Sequence, residues 1–262
     1  MRISAVIFDW AGTMVDHGSI APVIAMRRAF ADEGLTLSDA EIRADMGLSK
    51  RDHVQAILQS EPGLEAWSRR HGKAPGDTDI DRIFQALSPL MAEAGSNRAT
   101  LIPGSAACVE ALRRKGVRIG STTGYTRAMM DPIQSKAAEQ GYAPDAIVCA
   151  GEASSGRPAP YMIWRALERL DCWPTAAVVK VDDAPVGIHE GLNAGCLTIG
   201  VAATGNAMGL DADALQALPT DVKALRLSQA RSELLAAGAH FVIDSVADLA
   251  PFLSSRGLIS AQ

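Results

Sequence analysis

The sequence lacks the features that would direct a chain to a membrane or to nucleic acid. No apolar run approaches the roughly 20 residues that a membrane-spanning helix requires. The first apolar run, residues 3–8, has the length of a strand rather than of a signal sequence. Basic residues form no block, and the formal net charge is −5. The sequence therefore predicts a cytoplasmic protein that binds neither membranes nor nucleic acid.

Cysteine is scarce and follows no recognisable spacing. The four cysteines are Cys108, Cys149, Cys172 and Cys196, with no C-x-x-C pair among them. Disulfide frameworks and zinc sites place cysteines at short regular spacings, whereas these stand in apolar contexts such as AIVCA. We therefore expect buried thiols in a reducing compartment.

What the sequence does contain is an alternation of short apolar runs with segments of helical periodicity. Several of these helical segments end at a glycine, a common C-terminal signal. Continuous apolar strands joined by helices indicate a parallel sheet that is covered on both faces. The sequence thus predicts an α/β fold with a doubly wound, Rossmann-like parallel sheet. Its strands are expected at residues 3–9, 117–123, 146–150, 177–183, 196–202 and 240–245.

The segment from about residue 18 to residue 98 interrupts this alternation. It has several runs of helical periodicity and no strand-like run. Helices inserted after the first strand are best explained as a cap over the active site of the sheet domain. We predict a core domain formed by residues 1–18 and 98–262, and a helical cap domain formed by residues 19–97.

Polar side chains stand at the carboxyl ends of three predicted strands. Asp9 ends the first, Thr122 and Thr123 end the second, and Asp182 and Asp183 end the fourth. Because parallel sheets bind ligands beyond the carboxyl ends of their strands, these side chains should meet at one site. Each alone has a plain structural explanation, since an acid or a threonine after a strand is often a helix cap.

The chemistry of these groups suits a phosphate group and a hard cation. The run STTGYT, residues 121–126, offers hydroxyls and backbone N–H groups to a phosphate oxygen. Arg157, in the loop after the strand at 146–150, could neutralise such an oxygen or could be an ordinary solvated residue. Asp9 together with the acids at 182 and 183 would form an oxygen-rich Mg²⁺ site.

Together these motifs resemble the haloacid dehalogenase superfamily over roughly residues 1–18 and 98–250. The resemblance implies that Asp9 attacks phosphorus and forms an aspartyl-phosphate. It also implies that Mg²⁺ binds the Asp9 carboxylate, the Ala11 backbone carbonyl and Asp183. The first motif of that family, D-x-D-x-T/V, has a second Asp that acts as general acid and base, but here Ala11 occupies that position. This departure disfavours ordinary phosphate-ester hydrolysis, because an alkoxide leaving group needs a proton.

Ala11 points instead to a leaving group that is not an alkoxide. A C–P bond can break without that acid if an amine first condenses with a neighbouring carbonyl, because the protonated imine accepts the electron pair. The helical segment offers Lys50 for this role, with His53 one helical turn further on and so on the same face. On its own, however, a lysine beside an arginine on a helix is usually a solvated charge.

A closer resemblance is to the phosphonatase branch of the superfamily. It rests on AVIFDWAGTMVD, MGLSK..HV, IGSTTGYTR.MM, GRP.P, VKVDD and EGLNAG. It implies that Lys50 forms a Schiff base with phosphonoacetaldehyde, that His53 relays protons, and that the C–P bond is hydrolysed to give acetaldehyde and phosphate in 2-aminoethylphosphonate degradation. It also implies a homodimer. Substrate contacts are expected at Met46, Thr122, Thr123, Gly124, Tyr125 and Arg157.

Two alternatives can be weighed against the sequence. A capped Mg²⁺-dependent phosphatase or phosphomutase predicts an acid at position 11, where the chain has Ala11. A non-catalytic member that binds phosphorylated metabolites predicts the loss of Asp9, Thr123 or Asp183, and all three are present. The second metal-side acid stays open, because the superfamily often places it at position 187. That residue is Gly187, which leaves Asp182 or a water molecule for the role.

Overall fold

The computed structural model describes residues 2–259. Met1 and residues 260–262, which the predicted core domain includes, lie outside the described residues. Six strands form one sheet in the order β3-β2-β1-β4-β5-β6, and all neighbouring strands are parallel. The predicted fold class is confirmed, and each strand lies within the run predicted for it. The strands are β1 (Ala5–Phe8), β2 (Arg118–Thr123), β3 (Ala146–Cys149), β4 (Val178–Asp182), β5 (Leu197–Val201) and β6 (Phe241–Ile243).

Five helices and no strand lie between residues 20 and 97, which we call the helical segment. α2 is much shorter than the run of helical periodicity around it, because the chain leaves the helix after Arg43 and forms turns up to Ser49. The division of the chain into a core and a cap domain stays a prediction. The helices are α1 (Ile20–Asp32), α2 (Asp39–Arg43), α3 (Lys50–Gln59), α4 (Glu61–His71) and α5 (Asp77–Asn97).

The remaining helices cover the two faces of the sheet. Two buried apolar clusters lie on opposite sides of β1: Val6 and Phe8 belong to one, and Ala5 and Ile7 to the other. This alternation is expected of a strand whose successive side chains point to opposite faces. No helix of the described residues is long and apolar enough to cross a membrane. The helices are α6 (Ser105–Arg114), α7 (Arg127–Glu139), α8 (Tyr161–Leu170), α9 (Pro185–Ala194), α10 (Ala212–Ala217), α11 (Thr220–Ala236) and α12 (Leu249–Ser255).

The order of the strands reverses at β1, and this reversal determines where a ligand can bind. β1 pairs with β2 on one side and with β4 on the other, so that Phe8 lies beside Ser121 and Val181. The connecting chain therefore leaves β1 and β4 in opposite directions and opens a crevice at their carboxyl ends. Asp9 directly follows β1, and Asp182 ends β4, so the sheet itself brings these acids together.

Candidate active site

Asp9 lies at the floor of a small cavity in this crevice. Its backbone N–H donates to the carbonyl of Val181 at 3.0 Å, which extends the β1–β4 ladder by one residue and fixes the carboxylate at the strand tip. The Asp9 Oδ1 atom lies 2.9 Å from Nη1 of Arg157. The cavity is lined by Asp9, Ala11, Ser19, Pro22, Met46, Gly47, Lys50, Thr123, Gly124, Tyr125, Arg157, Asp182, Asp183 and Ala184.

The charge of Asp9 is balanced between opposing neighbours. Burial and then the nearby carboxylate of Asp182 raise the pKa of Asp9 to about 6, while Arg157 and Lys180 act in the opposite direction. The buried Asp9 carboxylate therefore favours the binding of a cation beside it. It can also act as a nucleophile.

Asp183 is held by hydrogen bonds from three residues in two separate loops. Its Oδ2 atom accepts from the backbone N–H of Asn206 at 2.7 Å and from the Ser19 hydroxyl at 3.1 Å, and its Oδ1 atom accepts from the Thr13 hydroxyl at 3.4 Å. Burial and the charge of Asp9 raise the pKa of Asp183 well above its ordinary value. This carboxylate is thus oriented firmly, although it lacks a neutralising side chain of its own.

The three acids form a compact oxygen cluster that suits a hard divalent cation. Asp9, Asp182 and Asp183 are all buried, and one carboxylate oxygen from each lies within 4.8 Å of the others. Like charges so close together repel one another in a buried site, and a bound cation removes that repulsion. Carboxylate oxygens are the ligands that Mg²⁺ and related ions take in proteins. The residues present therefore fit a divalent metal.

Gly187 has no room for the acid that the superfamily often carries there. A Cβ atom built on Gly187 would lie 2.0 Å from both Cγ and Oδ2 of Asp182. The Asp182 carboxyl group therefore occupies the space that a side chain at position 187 would need. This explains why the chain has glycine at 187 and an acid at 182.

Lys50 enters the cavity from the helical segment. It is the first residue of α3 and is almost wholly buried, with Nζ 5.1 Å from the centre of the Tyr125 ring. Burial lowers the pKa of Lys50 to about 8, partly offset by the charge of Asp9, while Arg157 lowers it further. Roughly a tenth of this amine is therefore uncharged at pH 7, far more than for an ordinary lysine, and the uncharged form is the nucleophile.

His53 and Thr122 lie next to the cavity but do not line it. The Nε2 atom of His53 lies 2.7 Å from the Ile42 carbonyl, so Nε2 must carry the proton and Nδ1 is left with a free lone pair. This Nδ1 atom is buried without a hydrogen-bond partner among the described residues. Burial and then the charge of Lys50 lower the pKa of His53 to about 3, so the ring is neutral.

The loop after β2 brings three of the expected contacts to the cavity wall. The Thr123 hydroxyl accepts a hydrogen bond from the backbone N–H of Tyr125 at 3.2 Å, which stabilises the turn where the loop begins. A Cβ atom at Gly124 would lie 2.3 Å from the Leu48 carbonyl, so only glycine allows this loop to approach the turn before α3 so closely. The hydroxyl of Tyr125 is buried with no partner among the described residues.

Arg157 connects the cavity to a buried network beneath it. Its Nε donates to Oε2 of Glu190 at 2.9 Å, and its Nη2 donates to the Thr122 carbonyl at 2.8 Å. Lys180 lies in the same network, 2.9 Å from Asp182 Oδ2 and 3.1 Å from Glu190 Oε2. Although burial disfavours the charge, these acids raise the pKa of Arg157, so its guanidinium stays positive. Lys180 is thus a charge partner of the acids.

The sequence assigned no individual role to several side chains of the site. Ser19 and Thr13 orient Asp183 from the first loop, and Glu190 is a fully buried carboxylate on α9. Thr13 and Glu190 lie in the runs AVIFDWAGTMVD and EGLNAG, which are the signals that could have identified them. Trp10 packs on Tyr142 with ring centres 5.0 Å apart and lies in the core, not on the cavity.

Comparison with known proteins identifies the family. A model of the haloacid dehalogenase-like hydrolases matches residues 3–195. A phosphonoacetaldehyde hydrolase of Paraburkholderia xenovorans is 46% identical over 250 residues, which are 95% of this chain and 94% of that protein. One from Salmonella gallinarum is 45% identical over 254 residues, covering 95% and 93%. The chain belongs to the phosphonoacetaldehyde hydrolase family.

The structural comparison extends this likeness to nearly the whole chain. A solved structure of a phosphonoacetaldehyde hydrolase-like protein from Oleispira antarctica superposes with a TM-score of 0.96 at 38% identity, covering 98% of this chain and 94% of that one. The expected membership of the haloacid dehalogenase superfamily is therefore confirmed. Members of the phosphonoacetaldehyde hydrolase family are enzymes, so the cavity is best treated as an active site.

Proposed function

We propose that this protein hydrolyses the C–P bond of phosphonoacetaldehyde to acetaldehyde and phosphate in the degradation of 2-aminoethylphosphonate. The observation that carries the proposal is that a buried lysine with a lowered pKa, Lys50, lines the same small cavity as Asp9. Ala11 lines the same cavity at the position where related phosphatases place a general acid. The site therefore has a nucleophile for phosphorus and an amine for a carbonyl, but no acid at position 11 for an alkoxide.

In the first half of the reaction, the Lys50 amine adds to the aldehyde carbon and water leaves, which forms a protonated imine. His53 is the proposed proton relay for this step, because its Nδ1 atom carries a free lone pair and the charge of Lys50 acts on its ring. Being neutral, His53 acts as a hydrogen-bond acceptor rather than as a cation. Tyr125 and Met46 enclose the Lys50 side of the cavity and limit the access of bulk water.

In the second half, an Asp9 carboxylate oxygen forms a bond to phosphorus while the C–P bond breaks. The electron pair of that bond moves into the imine and gives an enamine on Lys50. A proton added to the carbon gives the imine of acetaldehyde, and its hydrolysis frees Lys50. Water then attacks the phosphorus of the aspartyl-phosphate and releases phosphate. Thr123, Gly124 and Arg157 are the proposed contacts of the phosphoryl oxygens, with Thr122 orienting Arg157 from below.

We propose Mg²⁺ as the metal, held by the Asp9 carboxylate, the Ala11 carbonyl and Asp183. When bound, such an ion screens the repulsion between the anionic phosphonate and the Asp9 carboxylate. A backbone carbonyl needs no particular side chain, so Ala11 can serve the metal while lacking the acid. Asp182 lies close enough to complete the ligand set.

The decisive experiment is to trap the imine. Incubation with phosphonoacetaldehyde and borohydride, followed by peptide mass spectrometry, should place a reduced adduct on Lys50, with phosphate release followed in parallel. In the wild-type protein the adduct should be an ethyl group, because the C–P bond has broken. In Asp9→Asn it should keep the phosphonate, because the nucleophile is gone and imine formation is not.

Lys50→Arg is the matched control, because a guanidinium keeps the positive charge but cannot form an imine. It should show neither adduct nor phosphate release. Absence of phosphate release by the wild-type protein, or an adduct at another lysine, would contradict the proposal.

Three further proposals accompany this function. Residues 19–97 form a cap over a core of residues 1–18 and 98–262, a division supported by Lys50 entering the site from the helical segment. The protein is a homodimer with α1 in the interface, supported by the exposed side chain of Ile24, and light scattering tests it. A reducing, cytoplasmic location is supported by four free cysteines, three of them buried.

A further inference from the structure

Arg43 and Asn206 form a reciprocal hydrogen-bonded pair between the helical segment and the loop after β5. Arg43 ends α2, and its Nη1 atom donates to Oδ1 of Asn206 at 3.0 Å. In return, Nδ2 of Asn206 donates to the backbone carbonyl of Arg43 at 3.1 Å. The same Nη1 also donates to the Gly18 carbonyl at 2.9 Å, just before α1. One guanidinium therefore joins three segments that are distant in sequence.

On the sheet side, Asn206 is hydrogen-bonded directly to Asp183, one of the proposed metal ligands. Its backbone N–H donates to Asp183 Oδ2 at 2.7 Å. The start of this loop is anchored without Arg43, because the Thr204 hydroxyl donates to the Gly12 carbonyl and the Gly18 N–H donates to the Thr204 carbonyl, both at 2.7 Å. Further along the loop, the Gly209 carbonyl accepts from Arg43 at 3.5 Å. Asn206 is thus held in place beside Asp183, outside the cavity.

On the helical side, the backbone carbonyls of Ile42 and Arg43 accept hydrogen bonds from the segment that carries Lys50. The Ile42 carbonyl bonds the His53 ring at 2.7 Å, and the Arg43 carbonyl also accepts from the Met46 N–H at 3.2 Å. The turns between them carry Met46 into the cavity wall and lead directly into α3 at Lys50. A short hydrogen-bonded stretch of chain therefore connects Arg43 to Lys50.

The cavity is too small for a phosphonate, so part of its lining must move during turnover. Its volume of about 20 Å³ leaves room for about one water molecule, which needs roughly 10–15 Å³ by the same measure. A phosphonate substrate cannot enter while Lys50 and Gly47 lie where they do. After entry, the lysine must return to the same place relative to Asp9, because small misplacements of reacting groups are costly.

We propose that the Arg43–Asn206 pair sets the register of the Lys50 helix against Asp183 each time the helical segment closes. Both are positioning residues, since neither touches the cavity. The proposal rests on the proposed function for what Lys50 does there, but the contact itself can be tested without substrate. The polar link between Arg157 and the Gly47 carbonyl, at 3.4 Å, is longer and cannot replace the reciprocal pair.

Hydrogen exchange of the substrate-free protein tests the contact. Asn206→Ala removes both side-chain hydrogen bonds but keeps the backbone N–H that bonds Asp183. Amides of residues 44–59 should then exchange about 10-fold faster or more, as expected for losing a charged hydrogen bond, while the strand amides stay unchanged. In the same variant, borohydride trapping of Lys50 and kcat should fall about 10- to 100-fold, with the affinity for inorganic phosphate unchanged.

Arg226→Gln is the matched control, because Arg226 donates from α11 to the Met208 carbonyl in the same loop, and its charge repels that of Arg43 instead of holding it. It should leave exchange of residues 44–59 and Lys50 trapping unchanged. Arg43→Lys, which keeps the charge but not the forked geometry, should resemble Asn206→Ala. Equal exchange in Asn206→Ala and Arg226→Gln would overturn the proposal, and so would faster exchange throughout the sheet. Failure of the wild-type protein to turn over phosphonoacetaldehyde would instead count against the proposed function.

Discussion

The Arg157 guanidinium lies 2.9 Å from the Asp9 carboxylate and also donates to the Gly47 carbonyl, in the turn that leads to Lys50. The same guanidinium donates to Glu190 at 2.9 Å, so its position is determined before any substrate binds. A cation fixed in this way keeps the nucleophile ionised and is already in place when charge develops on the phosphoryl oxygens. Its effectiveness depends on the buried acid behind it.

Glu190→Gln should destabilise the protein and misplace Arg157. The substitution leaves the buried cations Arg157 and Lys180 with one acid fewer, and breaking a buried ion pair typically costs about 3–5 kcal/mol. We expect a lower free energy of unfolding in urea and a lower kcat/KM. Glu168→Gln, on the exposed face of α8, is the control and should change neither. Adding Lys180→Met to Glu190→Gln should recover part of the stability, and a further loss would argue against the network.

The rate at which borohydride traps Lys50 should depend on pH with a midpoint near 8 in metal-free protein. Below that pH the amine is mainly protonated and has no lone pair to attack the aldehyde; above it the amine is mainly free. Because the Asp9 charge raises the pKa of Lys50, Asp9→Asn should move the midpoint to lower pH. A midpoint near the ordinary lysine value of 10.5, or a shift to higher pH in Asp9→Asn, would show that burial does not control this amine.

Ala11→Asp should convert part of the activity into phosphomonoester hydrolysis. The new carboxyl group would stand in the cavity where an alkoxide leaving group needs a proton, and general acid catalysis contributes on the order of 10²-fold or more. Phosphate release from a simple phosphomonoester measures the gain. Ala11→Asn introduces a side chain of the same size as Asp, but its amide cannot act as a general acid. An equal gain in that variant would therefore show that the effect is not acid catalysis.

Gly124→Ala should separate the loop after β2 from the turn that precedes Lys50. Its new Cβ atom would lie 2.3 Å from the Leu48 carbonyl, so one of the two segments must shift. We expect kcat to fall about 10²-fold, as for a reacting group displaced by about 1 Å. Gly156→Ala provides the comparison, since its Cβ atom would meet Ser49 at an ordinary 3.7 Å. Equal kcat values for the two variants would mean that this close approach does not matter.

The sequence predicts the sheet well because each strand is a continuous apolar run. A strand that is buried on both faces needs no other pattern, so it can be recognised locally. The sequence also predicts that Asp9, Thr123 and Asp183 lie near one another, because the ends of parallel strands share an edge. α11 was not predicted, since it buries few side chains, among them Ala230 and Leu234, and so shows little apolar periodicity.

The residues that join distant segments could not be predicted. Arg43 and Asn206 are 163 positions apart, and neither belongs to a periodic pattern or a motif that identifies a partner. Their roles follow from the geometry of turns and loops, which single-residue preferences do not determine. The same holds for Ser19, whose bond to Asp183 depends on how the chain turns after β1.

Gly187 and Asp182 compete for one volume, and this has a consequence for how such a site can change in evolution. A side chain at 187 would overlap the Asp182 carboxyl group, so the two positions cannot both carry an acid. If the acid moves from position 182 to position 187 in evolution, Asp182 must be replaced first. An acid gained at 187 while Asp182 is still present would clash with it. We therefore expect the two positions to covary among relatives, with a small residue at 182 wherever 187 bears a side chain.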